Sequence, residues 1–273
     1  MTVPADAPPR RRRPGQRVPV ALAVPAALGL LFLVLPLIGL LARTPWDSLP
    51  QRLTAPGVLT ALRLSVQSAT LATLLCLALG VPLAWLLARA QFPGRRIVRA
   101  LVTVPLVLPP VVGGLALLLV FGRRGLLGQW LDTTFGVTLP FTTTGVVLAE
   151  AFVAMPFLVI AVEGALRGAD SRYEEAATTL GAGRWTTFTQ VTLPLIAPGV
   201  AAGAVLCWAR ALGEFGATIT FAGNYPGRTQ TMPLAVYLAL ETDLEAAIVL
   251  SLILLTVSVA ILAGLRDRWI GHP

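Results

Sequence analysis

Residues 167–195, RGADSRYEEAATTLGAGRWTTFTQVTLPL, form the polar interruption between two apolar runs, and the rest of the chain is read outward from them. Ser171, followed by Glu174 at the third position, is a capping-box pattern, in which each side chain satisfies a backbone N–H that the first helical turn leaves free. The helix continues through Tyr173-Glu-Glu-Ala-Ala-Thr-Thr-Leu180 and stops at Gly181-Ala-Gly183, because glycine accepts the left-handed conformation that closes a helix. A second short helix, Arg184 to Thr192, is expected to end at Leu193-Pro194, where the next apolar run begins. Two short helices joined at a glycine elbow make a compact knob. Its alanines offer a small face that another protein's groove can approach closely, and Glu175 can meet a basic or amide donor there. The plainer alternative is an ordinary interfacial loop.

The flanking runs are long enough to cross a bilayer. Of 273 residues 56% are hydrophobic and 12% charged, and the mean hydropathy is +0.79, far from a soluble domain of this size. A crossing needs about 20 apolar residues. Six stretches qualify: Val18 to Leu41, Leu62 to Leu87, Ile97 to Phe121, Gly145 to Leu166, Ile196 to Gly213 and Ala246 to Leu265. The fold class is therefore an all-α integral membrane protein with six transmembrane helices and both ends on one side. With the N terminus inside, the inner segments hold fourteen arginines and the outer ones six, with Arg210 left within a span. The excess of arginine on inner segments places both termini in the cytoplasm. The first apolar run is longer than the roughly 7 to 15 residues of a signal-peptide core, so it reads as an uncleaved span despite Arg10 to Arg13 before it. Residues 1–17, with four prolines and five arginines, are expected to be a disordered basic cytoplasmic tail that sets topology, with contact to anionic membrane lipid as a second reading. Residues 18–265 form one transmembrane domain carrying the 167–195 loop, and 266–273 a short cytoplasmic tail.

The side-chain inventory excludes whole classes of function. All 21 basic residues are arginine, so there is no P-loop lysine to hold ATP phosphates and no Schiff-base lysine. The one histidine is His272, and the two cysteines, Cys76 and Cys207, each lie inside an apolar run as packing residues. No catalytic triad, zinc or haem site can be assembled from that set, and we expect neither catalytic nor metal-binding residues. A net charge of +8 raises nucleic acid as a partner, but the arginines lie between apolar runs rather than on one basic domain, so none is expected.

Several spans carry features that a passive anchor does not need. Val104-Pro-Leu-Val-Leu-Pro-Pro-Val-Val-Gly-Gly114 places Pro105, Pro109, Pro110, Gly113 and Gly114 in the third span, removing helix donors that only neighbouring protein or a wet cavity can replace. A transport path and a kinked packing helix both fit that pattern. Glu150 and Glu163 lie near the two ends of the fourth span, Glu163 close enough to the cytoplasmic edge to be interfacial. Arg210 and Glu214 stand four residues apart toward the outer end of the fifth, where they either neutralise each other or leave Arg210 to line a path for an anion. The pair is the preferred reading, because an unpaired buried arginine costs several kcal/mol. Gly216 to Thr242 is apolar but broken at Asn224-Tyr-Pro-Gly227, which makes it a re-entrant or outer-surface element, and its Arg228 is either an anion-steering or a plain solvated charge.

The knob carries a resemblance. Glu175-Ala176-Ala177, three residues, Gly181, nine residues, then Val191-Thr192-Leu193-Pro194 resembles the EAA motif of the inner-membrane permease subunits of binding-protein-dependent ABC importers, with valine where isoleucine is usual. Arg210-Ala-Leu-Gly-Glu-Phe-Gly-Ala-Thr218, then Phe221-Ala-Gly-Asn-Tyr-Pro-Gly-Arg-Thr-Gln-Thr-Met-Pro-Leu-Ala-Val-Tyr237, is similar to the molybdate permeases, whose relatives carry sulfate and thiosulfate, and so is Leu106-Val-Leu-Pro-Pro-Val111. The resemblance runs from residue 58 to 265.

It implies a type I ABC importer permease in the bacterial plasma membrane, with the ATPase on a separate chain. Glu174, Glu175, Ala176, Ala177, Gly181, Leu193 and Pro194 would be the coupling element seated in a cleft of the ATP-binding subunit. ATP and Mg would be bound by that partner dimer, with no cofactor in this chain. Its other partners would be a second copy of itself and an extracytoplasmic substrate-binding protein. Pro109, Pro110, Gly113, Arg210, Glu214, Thr218 and Thr220 are candidates for the path or gate, set against the plainer reading that a hydroxyl in a span bonds its own helix. Molybdate is the expected substrate, with tungstate or sulfate/thiosulfate as alternatives within the family. An ion-coupled secondary transporter and a membrane enzyme are the rivals of other classes.

Overall fold

The computed structural model describes residues 20–270, so the 1–17 tail lies outside the described residues. Two compact units, Met1–Arg43 and Thr44–Pro273, divide the chain. The first contains α1, Val20–Ala42, 23 residues long and apolar on all sides despite Pro25 and Pro36, the composition of a helix immersed in lipid.

The second unit is helical throughout: α2 (Leu49–Leu53), α3 (Pro56–Arg89), α4 (Arg95–Val107), α5 (Pro110–Phe121), α6 (Gly128–Phe135), α7 (Thr143–Gly168), α8 (Arg172–Thr179), α9 (Arg184–Thr187), α10 (Leu193–Leu212), α11 (Gly216–Ala222), α12 (Met232–Thr242) and α13 (Leu244–Ile270). Five described helices are long and apolar enough to cross a membrane, and the bent pair α4–α5 makes six. The last helix continues beyond Leu265, where the sequence suggested a tail, to Ile270.

The core is the contact of α3 with α7 and α10. Ala69, Ala72, Cys76 and Ala84 of α3 meet Ala151, Ala154, Leu158 and Val162 of α7 and Cys207 and Ala211 of α10, all buried. Lipid competes equally well for apolar surface, so helix association in a bilayer rests on close van der Waals fit, and small residues provide it. A Cβ on Gly203 would lie 3.0 Å from that of Ala161, and one on Gly199 would collide with Ala165. Both cysteines are buried packing residues here, Cys76 directing its thiol at the Ala151 carbonyl, 3.5 Å away. Large apolar side chains such as Leu71, Leu74, Leu79 and Leu206 face outward, as a lipid belt requires.

The expected third span, Ile97 to Phe121, is two arms bent by 118°. The cause is Leu108-Pro109-Pro110: a residue before proline is driven out of the α region, and Leu108 and Pro109 are extended, with ψ of 129° and 132°. Pro110 then opens α5, where its missing N–H costs nothing. The second arm is held by α11, a buried helix too short to span, so Gly216 to Ala222 is internal packing rather than outer surface. Gly216 leaves room for Pro110, and a Cβ on Gly114 would lie 2.7 Å from the Ala217 carbonyl oxygen and from Thr220 Cβ.

Pro194 does not end a helix. Chain segment 184–212 is continuous, because Phe188–Thr192 forms a π-turn in which the Leu193 N–H reaches back to the Phe188 carbonyl. The wider turn shifts the hydrogen-bond register so that Pro194, without an N–H, sits in the first turn of α10.

Gly114→Ala should lower the detergent-solubilised protein's unfolding free energy by about 1–3 kcal/mol through overpacking. Gly164→Ala, with nothing within 4 Å of the added carbon and a helical backbone, should instead raise the thermal midpoint slightly, by the roughly 0.5–1 kcal/mol that alanine gains over glycine in a helix interior, and thermal unfolding of the two variants checks the contrast.

Candidate functional site

The knob predicted between the fourth and fifth spans is present as α8, the Gly181 elbow and α9. Gly181 has φ of 88°, a left-handed conformation that glycine adopts without penalty, and the Ala182 N–H returns to the Ala177 carbonyl across it. The capping box is not formed. Asp170 accepts from the Arg172 N–H at 3.0 Å instead, while the Ser171 hydroxyl donates to Glu175 at 3.2 Å. Glu174 is drawn away from the cap because it has stronger partners. Its Oε1 takes an ion pair from Arg89 at 3.1 Å and a hydrogen bond from the Thr192 hydroxyl at 3.0 Å.

That arrangement divides the motif between two jobs. Glu175, Ala176 and Gly181 are exposed on the knob, along with the apolar Leu180 (88% exposed), Trp185 (76%) and Tyr173 (59%), an apolar tip that water alone does not favour. Glu174, Ala177 and Leu193 face partly inward, and Pro194 lies exposed in the first turn of α10. Through Glu174 the first knob helix is fastened to the cytoplasmic end of α3 and to the π-turn that leads into α10. The three meet around a cleft of about 340 Å³ that also includes Trp85, Thr178, Arg184 and Phe188.

A second ion cluster closes the same end. Glu163 is buried, and its Oε1 accepts from Arg99 at 2.6 Å and from Arg167, one turn along α7, at 2.7 Å. Arg99 also donates to the Leu87 carbonyl and Arg95 to that of Ala88, satisfying carbonyls that the end of α3 leaves without helical partners. Glu163 is therefore a buried clamp rather than a free interfacial charge.

At the opposite end the path candidates separate. Arg210 and Glu214 form an ion pair at 2.6 Å, with Glu214 side-chain exposure of 1%. The other Glu214 oxygen accepts from the Ala217 N–H at 2.8 Å, starting α11. Pro109 and Pro110 are exposed at the bend, whereas Gly113 faces Phe152 of α7. Thr220 bonds the Gly216 carbonyl of its own helix at 2.8 Å, and Thr218 is fully buried with its hydroxyl unpaired among the described residues. Glu150, also buried, accepts from Ser68 of α3 at 2.8 Å; one turn earlier, Ser65 accepts from the Met232 N–H at 2.7 Å and fixes the start of α12. Sequence spacing cannot pair Ser68 with Glu150 or Arg89 with Glu174, since their partners lie 82 and 85 residues apart.

Residues 80–272 match the family described as binding-protein-dependent transport system inner membrane component. The chain belongs to that family. The permease is 49% identical over 245 residues to the molybdenum transport system permease protein ModB of Mycobacterium tuberculosis, covering 90% of this chain and 92% of the relative. It is 45% identical over 212 residues to ModB of Escherichia coli (78% and 93%), and 37% identical over 253 residues to the sulfate transport system permease protein CysT of Escherichia coli (89% and 91%). In fold the permease matches a bacterial ABC transporter involved in the import of the acidic polysaccharide alginate, with a TM-score of 0.74 over 91% of this chain and 93% of that one at 19% identity. It is thus a multi-pass inner-membrane permease component, and not itself an ATPase.

Arg210→Ala should destabilise the permease by about 3–5 kcal/mol, because it strands Glu214 as a buried charge, and the double variant with Glu214→Ala should recover part of that loss. Chemical unfolding in detergent measures both. A double-mutant cycle on Arg89 and Glu174 should give an interaction of about 0.5–1 kcal/mol, the size of a partly exposed pair.

Proposed function

We propose that this chain is the membrane-spanning permease subunit of a molybdate importer, acting as two copies around one path. The observation that supports the substrate is the likeness to molybdenum permeases at 49% and 45% identity, against 37% for a sulfate permease. Tungstate, an oxyanion of the same charge and shape, would use the same route, and sulfate or thiosulfate is the less favoured reading. An ion-coupled secondary transporter no longer competes, since the family works with a separate binding protein.

In this reading ATP and Mg reside on a partner dimer, and the chain's own residues convert that dimer's closure into movement. The exposed face of α8, with Glu175, Ala176 and Gly181, and the apolar tip at Leu180 and Trp185 seat in the ATP-binding subunit. Removing that tip from water favours docking by roughly 25 cal/mol per Å² of apolar area buried. Displacement of α8 then pulls on Arg89 and Thr192 through one carboxylate, so α3 and α10 move with the knob. Two short polar links to two long helices resist bending better than a loop would, and this rigidity is what a coupling element needs. The outer ends of the same helices carry the α11–α12 region, where the path opens toward the extracytoplasmic binding protein. No strong charge is left free in the α10–α11 turn, because Arg210 is neutralised by Glu214, and a path that binds its anion tightly cannot release it.

In proteoliposomes containing the permease, its ATP-binding subunit and its binding protein, molybdate uptake should depend on ATP and on the liganded binding protein. Glu175→Arg and Gly181→Pro should each abolish the stimulation of hydrolysis while leaving assembled permease in the membrane. Unaltered stimulation in both variants would refute the coupling assignment, and uptake of sulfate but not molybdate would move the substrate.

A further inference from the structure

Six arginines lie in segments assigned to the outer face, and the structure treats them differently. Arg52 is neutralised twice, by Asp243 and by Glu245, each at 2.8 Å. Arg123 and Arg228 form no ion pair with any described residue, and both border the same cavity of about 400 Å³, with Leu118, Gly122, Thr138, Pro140 and Phe141. They come from distant segments, the end of α5 and the α11–α12 loop, which only the fold brings together.

The walls of this cavity are built with care. Phe141 has φ of 59°, a left-handed conformation that costs a bulky side chain of the order of 1–3 kcal/mol and persists only when the surroundings enforce it. Here they do. On one side the Thr142 hydroxyl donates to the Leu139 carbonyl at 2.6 Å and accepts from the Gly145 N–H at 3.1 Å, locking the turn onto α7. On the other, the Phe141 ring meets Tyr225 edge to face at 6.1 Å, over Gly223, where a Cβ would lie 3.2 Å from the Phe141 ring. Arg228 is held at its backbone: its N–H donates to the Tyr225 carbonyl at 3.1 Å and its carbonyl accepts from the Thr143 hydroxyl at 2.9 Å. Its guanidinium has no ion-pair partner among the described residues and lies beside a fixed wall. Backbone strain that the surroundings enforce clusters at ligand-binding sites.

We propose that this cavity is an oxyanion-receiving site on the outer face, in which Arg123 and Arg228 take a tetrahedral dianion as it leaves the binding protein. Two guanidinium forks match the oxygens of such an ion, and Thr138 adds a hydroxyl. Both arginines are exposed to water, so the hold is weak and brief, as a transfer point requires; its effect is to raise the local concentration of the anion at the entrance. A half-enclosed cavity of this size favours a small ion over the convex acidic surface of a protein. The inference rests on the proposed function for the identity of the anion.

The test uses the complete importer in proteoliposomes, with Arg123→Gln, Arg228→Gln and the double variant, and Arg228→Lys as the charge-conserving control. The double variant should reduce molybdate delivered per ATP by about tenfold, the low end of electrostatic focusing, and Arg228→Lys should restore part of it. The concentration of liganded binding protein giving half-maximal ATPase stimulation should not change. In the permease–ATPase complex without binding protein, millimolar molybdate should protect Arg123 and Arg228 from phenylglyoxal, read by mass spectrometry, while equal ionic strength of chloride should not. A rise in the half-maximal binding-protein concentration with normal molybdate per ATP would overturn the proposal and assign the arginines to protein docking. Absence of protection, or unchanged delivery in the double variant, would overturn it as well. Wild-type vesicles that take up no molybdate would instead overturn the substrate reading, and the protection experiment repeated with sulfate would still decide the cavity.

Discussion

Every polar backbone group at membrane depth must find its partner within the protein, and this requirement shapes the whole chain. It explains why every regular element among the described residues is a helix, and why the departures from a straight helix come with specific compensations. At Leu108-Pro109-Pro110 the chain turns through 118°, and the short buried helix α11 packs beneath the second arm through Gly114 and Gly216. At Pro194 a π-turn moves the hydrogen-bond register rather than breaking the helix. At the end of α3 the loose carbonyls of Leu87 and Ala88 are taken by Arg99 and Arg95.

The same economy governs charge. Glu163, Glu214 and Glu174 are each bound to an arginine, and Glu150 to Ser68. Those of Glu163, Glu174 and Glu150 also join elements distant in sequence. Glu174 is the clearest case. One residue before the exposed Glu175, it turns partly inward and ties the knob to α3 and to the π-turn that leads into α10. The small-residue contact of α3 with α7 and α10 holds those helices in one close-packed core.

Much of this was legible in the chain itself. Length and hydropathy located the spans, because an apolar run of 20 or so residues has one stable place in water and lipid. The glycine elbow after Thr179-Leu180 and the proximity of Arg210 to Glu214 were readable because both depend on residues within one or two turns. The capping box failed for the opposite reason: Glu174 had a local option at Ser171, but an arginine 85 residues away offered a stronger one. Likewise Pro194 read as a stop, since sequence periodicity does not reveal a π-turn that absorbs a proline.

The sequence by itself determined that the protein crosses a membrane, where the polar knob falls, which chemistry its lysine-free, histidine-poor composition excludes, and which family its motifs resemble. These follow from composition and short-range order. Only the tertiary structure decided that Gly113 packs against Phe152, that α11 is buried, which carboxylates hold which arginines, and that Arg123 and Arg228 share one cavity while Arg52 is neutralised. The physical reason is that pairing between side chains depends on where distant helices come to lie, and that is set by close packing over the whole bundle rather than by neighbours along the chain.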